Sequence, residues 1–177
     1  MNQIYFEAGK ITNNAMRDFL FSSFIALLFL SAELPNKLTV PFINVNMPHD
    51  AAISVLMLID SFMFYRFMAA VNYERELKDR LLKECNGSIE SVWLLSFPSI
   101  WNFTQFQTKV MRISSPLIVG AVAVILLALF SFVVPVWALL KAFILGYSRF
   151  SIGTILLACV VFILTFLGLF KTLRKEK

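Results

Sequence analysis

Asp60 is the residue whose type and position most demand a reason. It interrupts an otherwise apolar stretch, SVLMLIDSFMF at 54–64, with Ser54 and Ser61 close by. An acid at the centre of a lipid-crossing helix costs about 2.5–3.5 kcal/mol on insertion scales. A chain keeps such a group where it meets water, a proton, another subunit or a hydrogen-bond partner on a neighbouring helix. Arg66 follows six residues later. That separation is about 240° around a helix, so the two do not face each other on one helix. Asp18, near the inner end of the first apolar stretch, is the expected partner for Arg66. Such a pair would tie the first two spans together, with snorkelling to lipid phosphate as the competing fate of the arginine.

His49 and Asp50 stand side by side, and His49 is the chain's single histidine. One imidazole supplies too few ligands for a zinc centre. A turn ahead of a helix, with Asp50 as N-cap, accounts for the pair better. Cys85 and Cys159 have neither disulfide nor zinc spacing and are expected to be unpaired thiols. No phosphate-binding glycine loop, dinucleotide fingerprint, H-E-x-x-H or nucleophile elbow occurs. Beyond Asp60, the third and fourth apolar stretches offer only Ser131, Thr154 and Thr165. The sequence therefore predicts no enzyme, no cofactor and no metal.

The elements that position these residues follow from composition. Of 177 residues, 59% are hydrophobic and 19 are phenylalanine. A water-soluble domain of this size cannot hide that much apolar surface, so lipid must solvate it. The expected fold class is an all-α membrane protein, one integral domain of four transmembrane helices. The spans are expected at about 15–34, 51–73, 115–140 and 151–170. Residues 1–14 read as a short amphipathic or disordered arm. PNKLTVPFINVNMPHD at 35–50 carries three prolines and a broken alternation, which suits two short extended segments. The second span should continue as a helix to Cys85, where Asn86-Gly87 is a stop signal. Its extension carries Glu74/Lys78, Glu76/Arg80 and Asp79/Lys83 at i, i+4. Residues 88–113 mix aromatics with uncharged polar groups and suggest interfacial helices, with Trp93, Trp101 and Phe103 as anchors.

Charge sets the orientation. Lys10, Arg17, Arg75, Lys78, Arg80, Lys83, Lys109, Arg112, Lys171, Arg174, Lys175 and Lys177 fall on one side; Lys37, Lys141 and Arg149 fall on the other. Lys and Arg mark the cytoplasmic side, so both ends and the 74–113 region are expected in the cytoplasm. The net charge of +5 then reflects anionic lipid rather than direct nucleic-acid binding. Arg75, Lys78, Arg80 and Lys83 are the candidate docking residues for a soluble cytoplasmic protein.

A short first span, the outer segment KLTVPFINVNMP, a second span running into a charged helix and a closing hydrophobic hairpin resemble the KwaA membrane subunits of Kiwa-type bacterial phage-defence systems. The resemblance covers most of the chain as an architecture. It implies a homo-oligomer, a tetramer, that senses events at the inner membrane and holds a cytoplasmic DNA-binding effector. The expected function is a non-enzymatic sensor or scaffold subunit; the alternative is an oligomeric channel or depolarising pore lined by span two.

Overall fold

The structure, a computed structural model, describes residues 2–31, 37–40, 45–85 and 115–174, with side chains over 3–31, 47–81, 83 and 129–168. Helix α1 covers Asn2–Ser31, α2 His49–Cys85, α3 Ser115–Ile144 and α4 Arg149–Arg174; β1, Lys37–Val40, and β2, Val45–Pro48, lie between α1 and α2. Three segments are long and apolar enough to cross a membrane: Gln3–Ser31, His49–Leu81 and Arg149–Gly168. Leu129–Ile144 is a shorter apolar helix segment among the described residues. The chain divides into two compact units, Met1–Arg17 with Arg66–Leu127, and Asp18–Tyr65 with Ala128–Lys177.

Residues 2–14, expected to form a separate arm, belong to one unbroken helix with the first apolar stretch. The polar Thr12, Asn13 and Asn14 do not stop it. The Thr12 hydroxyl donates back to the Ala8 carbonyl at 3.0 Å and is fully buried. The expected continuity of α2 through Cys85 is present: the helix is 37 residues long, about 55 Å at 1.5 Å per residue.

Burial explains why α1 and α2 are so long. On α1 the buried side chains are Tyr5, Ala8, Thr12, Ala15, Phe19, Ser23, Ala26 and Leu30, at steps of three and four. On α2 they include Ile53, Met57, Asp60, Phe64, Phe67, Val71, Glu74, Lys78 and Leu81, at alternating steps of four and three, with Ser54, Ser61 and Met68 buried beside them. That is the heptad spacing of a coiled-coil seam. Small residues dominate the α1 stripe and larger ones the α2 stripe, so each helix fits the other's relief. In the first unit Tyr5 packs on Leu81, with Phe6 and Leu77 alongside. In the second, the Phe19 and Phe64 rings lie 5.1 Å apart. With Ser22 and Ser23 beside Asp60, the pairing in the second unit runs antiparallel.

Within the second unit α3 and α4 form a hairpin. Their facing side chains include Ala138, Ala142, Ile155 and Ala158, all fully buried, and small residues let the backbones approach. The Cys159 Sγ donates to the Pro135 carbonyl at 3.8 Å, and the Phe132 and Phe166 rings meet edge to face at 4.8 Å. Phe64 on α2 stacks on Phe162 of α4 at 5.0 Å. The outward surface of this unit is apolar, with Phe21, Leu28, Phe62, Ile144, Phe150 and Leu164 all exposed. The described surface of the first unit is different: Glu7, Lys10, Arg17, Arg66, Glu76, Arg80 and Lys83 are exposed there.

The two extended segments expected at 35–50 are paired strands. Leu38 lies opposite Met47 and Val40 opposite Val45 in an antiparallel hairpin, the one departure from an all-helical chain among the described residues. The expected interfacial helices at 88–113, with Trp93, Trp101 and Phe103, lie outside the described residues.

Candidate functional site

The seam places Asp60 inside the second unit, with no exposed surface. Its Oδ1 is hydrogen-bonded to the Ser22 hydroxyl at 2.5 Å and to the Ser23 hydroxyl at 2.8 Å. Oδ2 is buried and has no hydrogen-bond partner. Ser54 and Ser61, expected to assist, instead donate to the Ala51 and Leu58 carbonyls of their own helix, both at 2.8 Å. In the sequence Ser22 and Ser23 are two small residues of an apolar stretch, with nothing that marks them as partners of Asp60. Their adjacency sets one on the seam and one on its shoulder, so both hydroxyls converge on a single carboxyl oxygen. Asp60 thus ties α1 to α2 within one chain.

A second polar cluster lies at the α3–α4 turn of the same unit. Gly146, at φ 64°, ends α3: the Gly146 N–H donates to the Phe143 carbonyl at 3.4 Å and the Tyr147 N–H to the Ala142 carbonyl at 3.0 Å. This is the two-bond glycine cap of a helix C-terminus. Ser148 caps the start of α4, its hydroxyl accepting from the Ser151 N–H at 3.2 Å. Asp50, expected to cap its own helix, reaches across to α4. Its Oδ2 accepts from the Ser151 hydroxyl at 3.0 Å and the Ser148 N–H at 3.3 Å. Burial opposes the Asp50 charge, but the hydrogen bonds from Ser148, Ser151 and Ala51 outweigh it and hold the carboxyl below its ordinary value. Lys141 donates to the Leu30 carbonyl in the last turn of α1, where a cation is also favoured by the helix dipole. His49 and Tyr147 pack with ring centroids 6.4 Å apart. Burial and the Lys141 charge push the imidazole down from its ordinary value, against the pull of Asp50. Burial, then the Asp50 charge, pushes the Tyr147 phenol up. The His49 Nε2 and the Tyr147 hydroxyl are both buried without a hydrogen-bond partner. No group of three or more His, Cys, Asp or Glu gathers among the described residues.

The remaining candidates separate by burial. Asp18 is half-buried in the second unit, while Arg66 is exposed in the first. Of the four expected docking residues, Arg80 and Lys83 are exposed, Arg75 is half-buried, and Lys78 is turned inward at 6% exposure. Glu74 is fully buried on the seam, and neither of its oxygens has a hydrogen-bond partner. Glu74 and Lys78, expected as an i, i+4 acid–base pair, are both buried on the seam, with no hydrogen bond on the Glu74 oxygens. Reading 74–85 as a solvated charged helix missed this, because a two-helix seam there requires α1 to extend back to residue 2. The exposed Lys10–Glu7 pair at 2.9 Å is a surface ion pair of small energetic weight. The small residues Ser23 and Ala26 are buried within the chain. No family model, curated protein or solved structure matches this chain.

Proposed function

We propose that this chain is a non-enzymatic subunit of the bacterial inner membrane that crosses the bilayer four times, with both ends in the cytoplasm. It assembles as a homo-oligomer, for which a tetramer is favoured, and holds a soluble cytoplasmic protein on a helical arm. The observation that carries this reading is the seam between α1 and α2 in the first unit, where Tyr5 packs on Leu81. A span needs about 20 residues. The 12 residues of α2 beyond Tyr73 add about 18 Å to it, and the start of α1 braces them. A pore has no use for a braced helix carrying exposed Arg80 and Lys83.

The ring of Tyr73 is exposed, as suits an aromatic at the headgroup level, and the exposed Arg66 lies within snorkelling reach of it. Anionic lipid is the expected partner of that belt. The alternative, a pore lined by span two, draws on Asp60. That carboxyl is turned into the chain's own seam and engaged by Ser22 and Ser23, which weighs against it. The resemblance to KwaA subunits supplies the setting: a phage-defence complex whose effector, not this chain, touches DNA.

Purification from native membranes in mild detergent tests the reading. One soluble protein should co-purify in fixed ratio with the wild type and be lost from the Arg80→Glu, Lys83→Glu double variant. Recovery of the wild-type oligomer alone overturns it.

A further inference from the structure

Three close oxygen–oxygen contacts meet around Asp60, and the serines bring two hydroxyl protons to them. The Ser22 Oγ lies 2.5 Å from the Asp60 Oδ1 and 2.9 Å from the Phe19 carbonyl oxygen. The Ser23 Oγ lies 2.8 Å from the same Oδ1. A serine has one O–H to donate, and an ionised carboxylate only accepts. If Asp60 were ionised, the one Ser22 hydrogen would have to be shared between the Asp60 Oδ1 and the Phe19 carbonyl oxygen, a weaker three-centre bond than a 2.5 Å separation implies.

A third proton resolves the count. Placed on Oδ1, it is donated to the Ser22 Oγ, Ser22 donates to the Phe19 carbonyl, and Ser23 donates to Oδ1. We propose that Asp60 is a proton-binding site inside the membrane, its side chain held as the neutral carboxylic acid with Ser22 as acceptor.

The other oxygen agrees. Oδ2 is buried and unpartnered on a residue with no exposed surface. A bare carbonyl oxygen is tolerable there; a bare carboxylate oxygen is far more costly. The packed elements bring no cation to this depth. Between Arg149 and Lys171, Cys159 is the one ionisable group on α4, and between Ser115 and Ile144 the one on α3 is Lys141, which is engaged at Leu30. On α1 the nearest ionisable residues are Arg17 and Asp18; on α2 they are Asp50, Tyr65 and Arg66, ten, five and six residues from Asp60, and Tyr65 is exposed. The site goes beyond the scaffold reading and stands whether or not a soluble protein docks.

Infrared spectroscopy of the full chain in lipid vesicles at neutral pH tests it. The wild-type minus Asp60→Asn difference should contain the carbonyl stretch of a protonated carboxyl, unchanged when sodium is replaced by potassium or choline. Ser22→Ala should keep that band and move it to higher frequency, since the acid loses its acceptor. No such band in the difference, or a band that grows only when alkali cations are withdrawn, overturns the proposal in favour of an ionised or cation-bound aspartate. Should Asp60→Asn fail to fold, the wild-type and Ser22→Ala spectra decide alone: an unmoved band overturns the assignment.

Discussion

Leu81→Ala is the sharpest perturbation of the arm. Leu81 is 2% exposed and packs on Tyr5, itself 1% exposed, with Phe6 and Leu77 at the edge of the cluster. Truncation removes three carbons from water-excluded space, about 2.4 kcal/mol at ~0.8 kcal/mol each. A large ring at full burial cannot collapse freely into the gap, so the cavity term carries the loss toward ~5 kcal/mol. A loss of 1.4 kcal/mol is about tenfold in an equilibrium constant, so local opening should become about 50- to 4,000-fold more frequent. Hydrogen exchange in lipid nanodiscs reads this directly. The amides of 3–17 and 70–83 should lose protection by that factor, while those of 53–64 and 151–165 keep theirs. Lys83→Ala is exposed and should change exchange by less than about 0.5 kcal/mol. If Leu81→Ala leaves the 3–17 amides protected within a factor of two of wild type, α1 is not held by this seam and the braced arm is wrong.

Three further outcomes follow from the second unit. Asp60→Leu removes both interhelical hydrogen bonds, each worth ~0.6–1.7 kcal/mol in a membrane, and should lower the thermal transition of the reconstituted protein by about 1–3 kcal/mol; Asp60→Asn keeps a donor and an acceptor and should cost less. Asp50 has its folded-state value depressed below the ordinary carboxylate range. Its stabilising contribution is therefore complete at neutral pH and is lost as pH falls through the depressed value; thermal scans should show an acid-side loss in the wild type that Asp50→Asn flattens. Lys141→Met leaves the Leu30 carbonyl without its side-chain donor and should raise exchange in the last turn of α1 by a free energy of about 1 kcal/mol, with little change in the first unit.

The helices of this chain were legible because lipid demands long apolar runs and because Asn86-Gly87 and Pro35 punctuate them. Which face of each helix turns inward was not. In a water-soluble helix an apolar stripe stands out against a polar face, but here both faces of these helices are apolar, so the exposed Phe21 and Phe62 look no different from Phe19 and Phe64 in the seam. The seam is also marked by residues that apolar patterning discards: Thr12, Ser23, Asp60, Glu74 and Lys78 all occupy it. The polar start of α1 hid its role for the same reason, since TNNA reads as a loop until the three-and-four steps from Tyr5 to Leu30 are followed through it. Asp60 was recognisable from its cost in lipid alone. Its partners needed a neighbouring helix in register, which adjacency to Ser54 and Ser61 does not supply. Gly146 and Ser148, which shape the α3–α4 turn, were legible in principle as a helix stop and a helix start, five and seven residues after Lys141.

The proposed topology puts Lys83 in the cytoplasm and Ser148 on the opposite side of the membrane. Single cysteines at Lys83 and at Ser148, in a chain with Cys85 and Cys159 replaced by serine, test this with a membrane-impermeant thiol reagent on intact cells. The cysteine at 148 should be labelled before the cells are opened and the one at 83 only afterwards; labelling of the cysteine at 83 in intact cells would contradict the account.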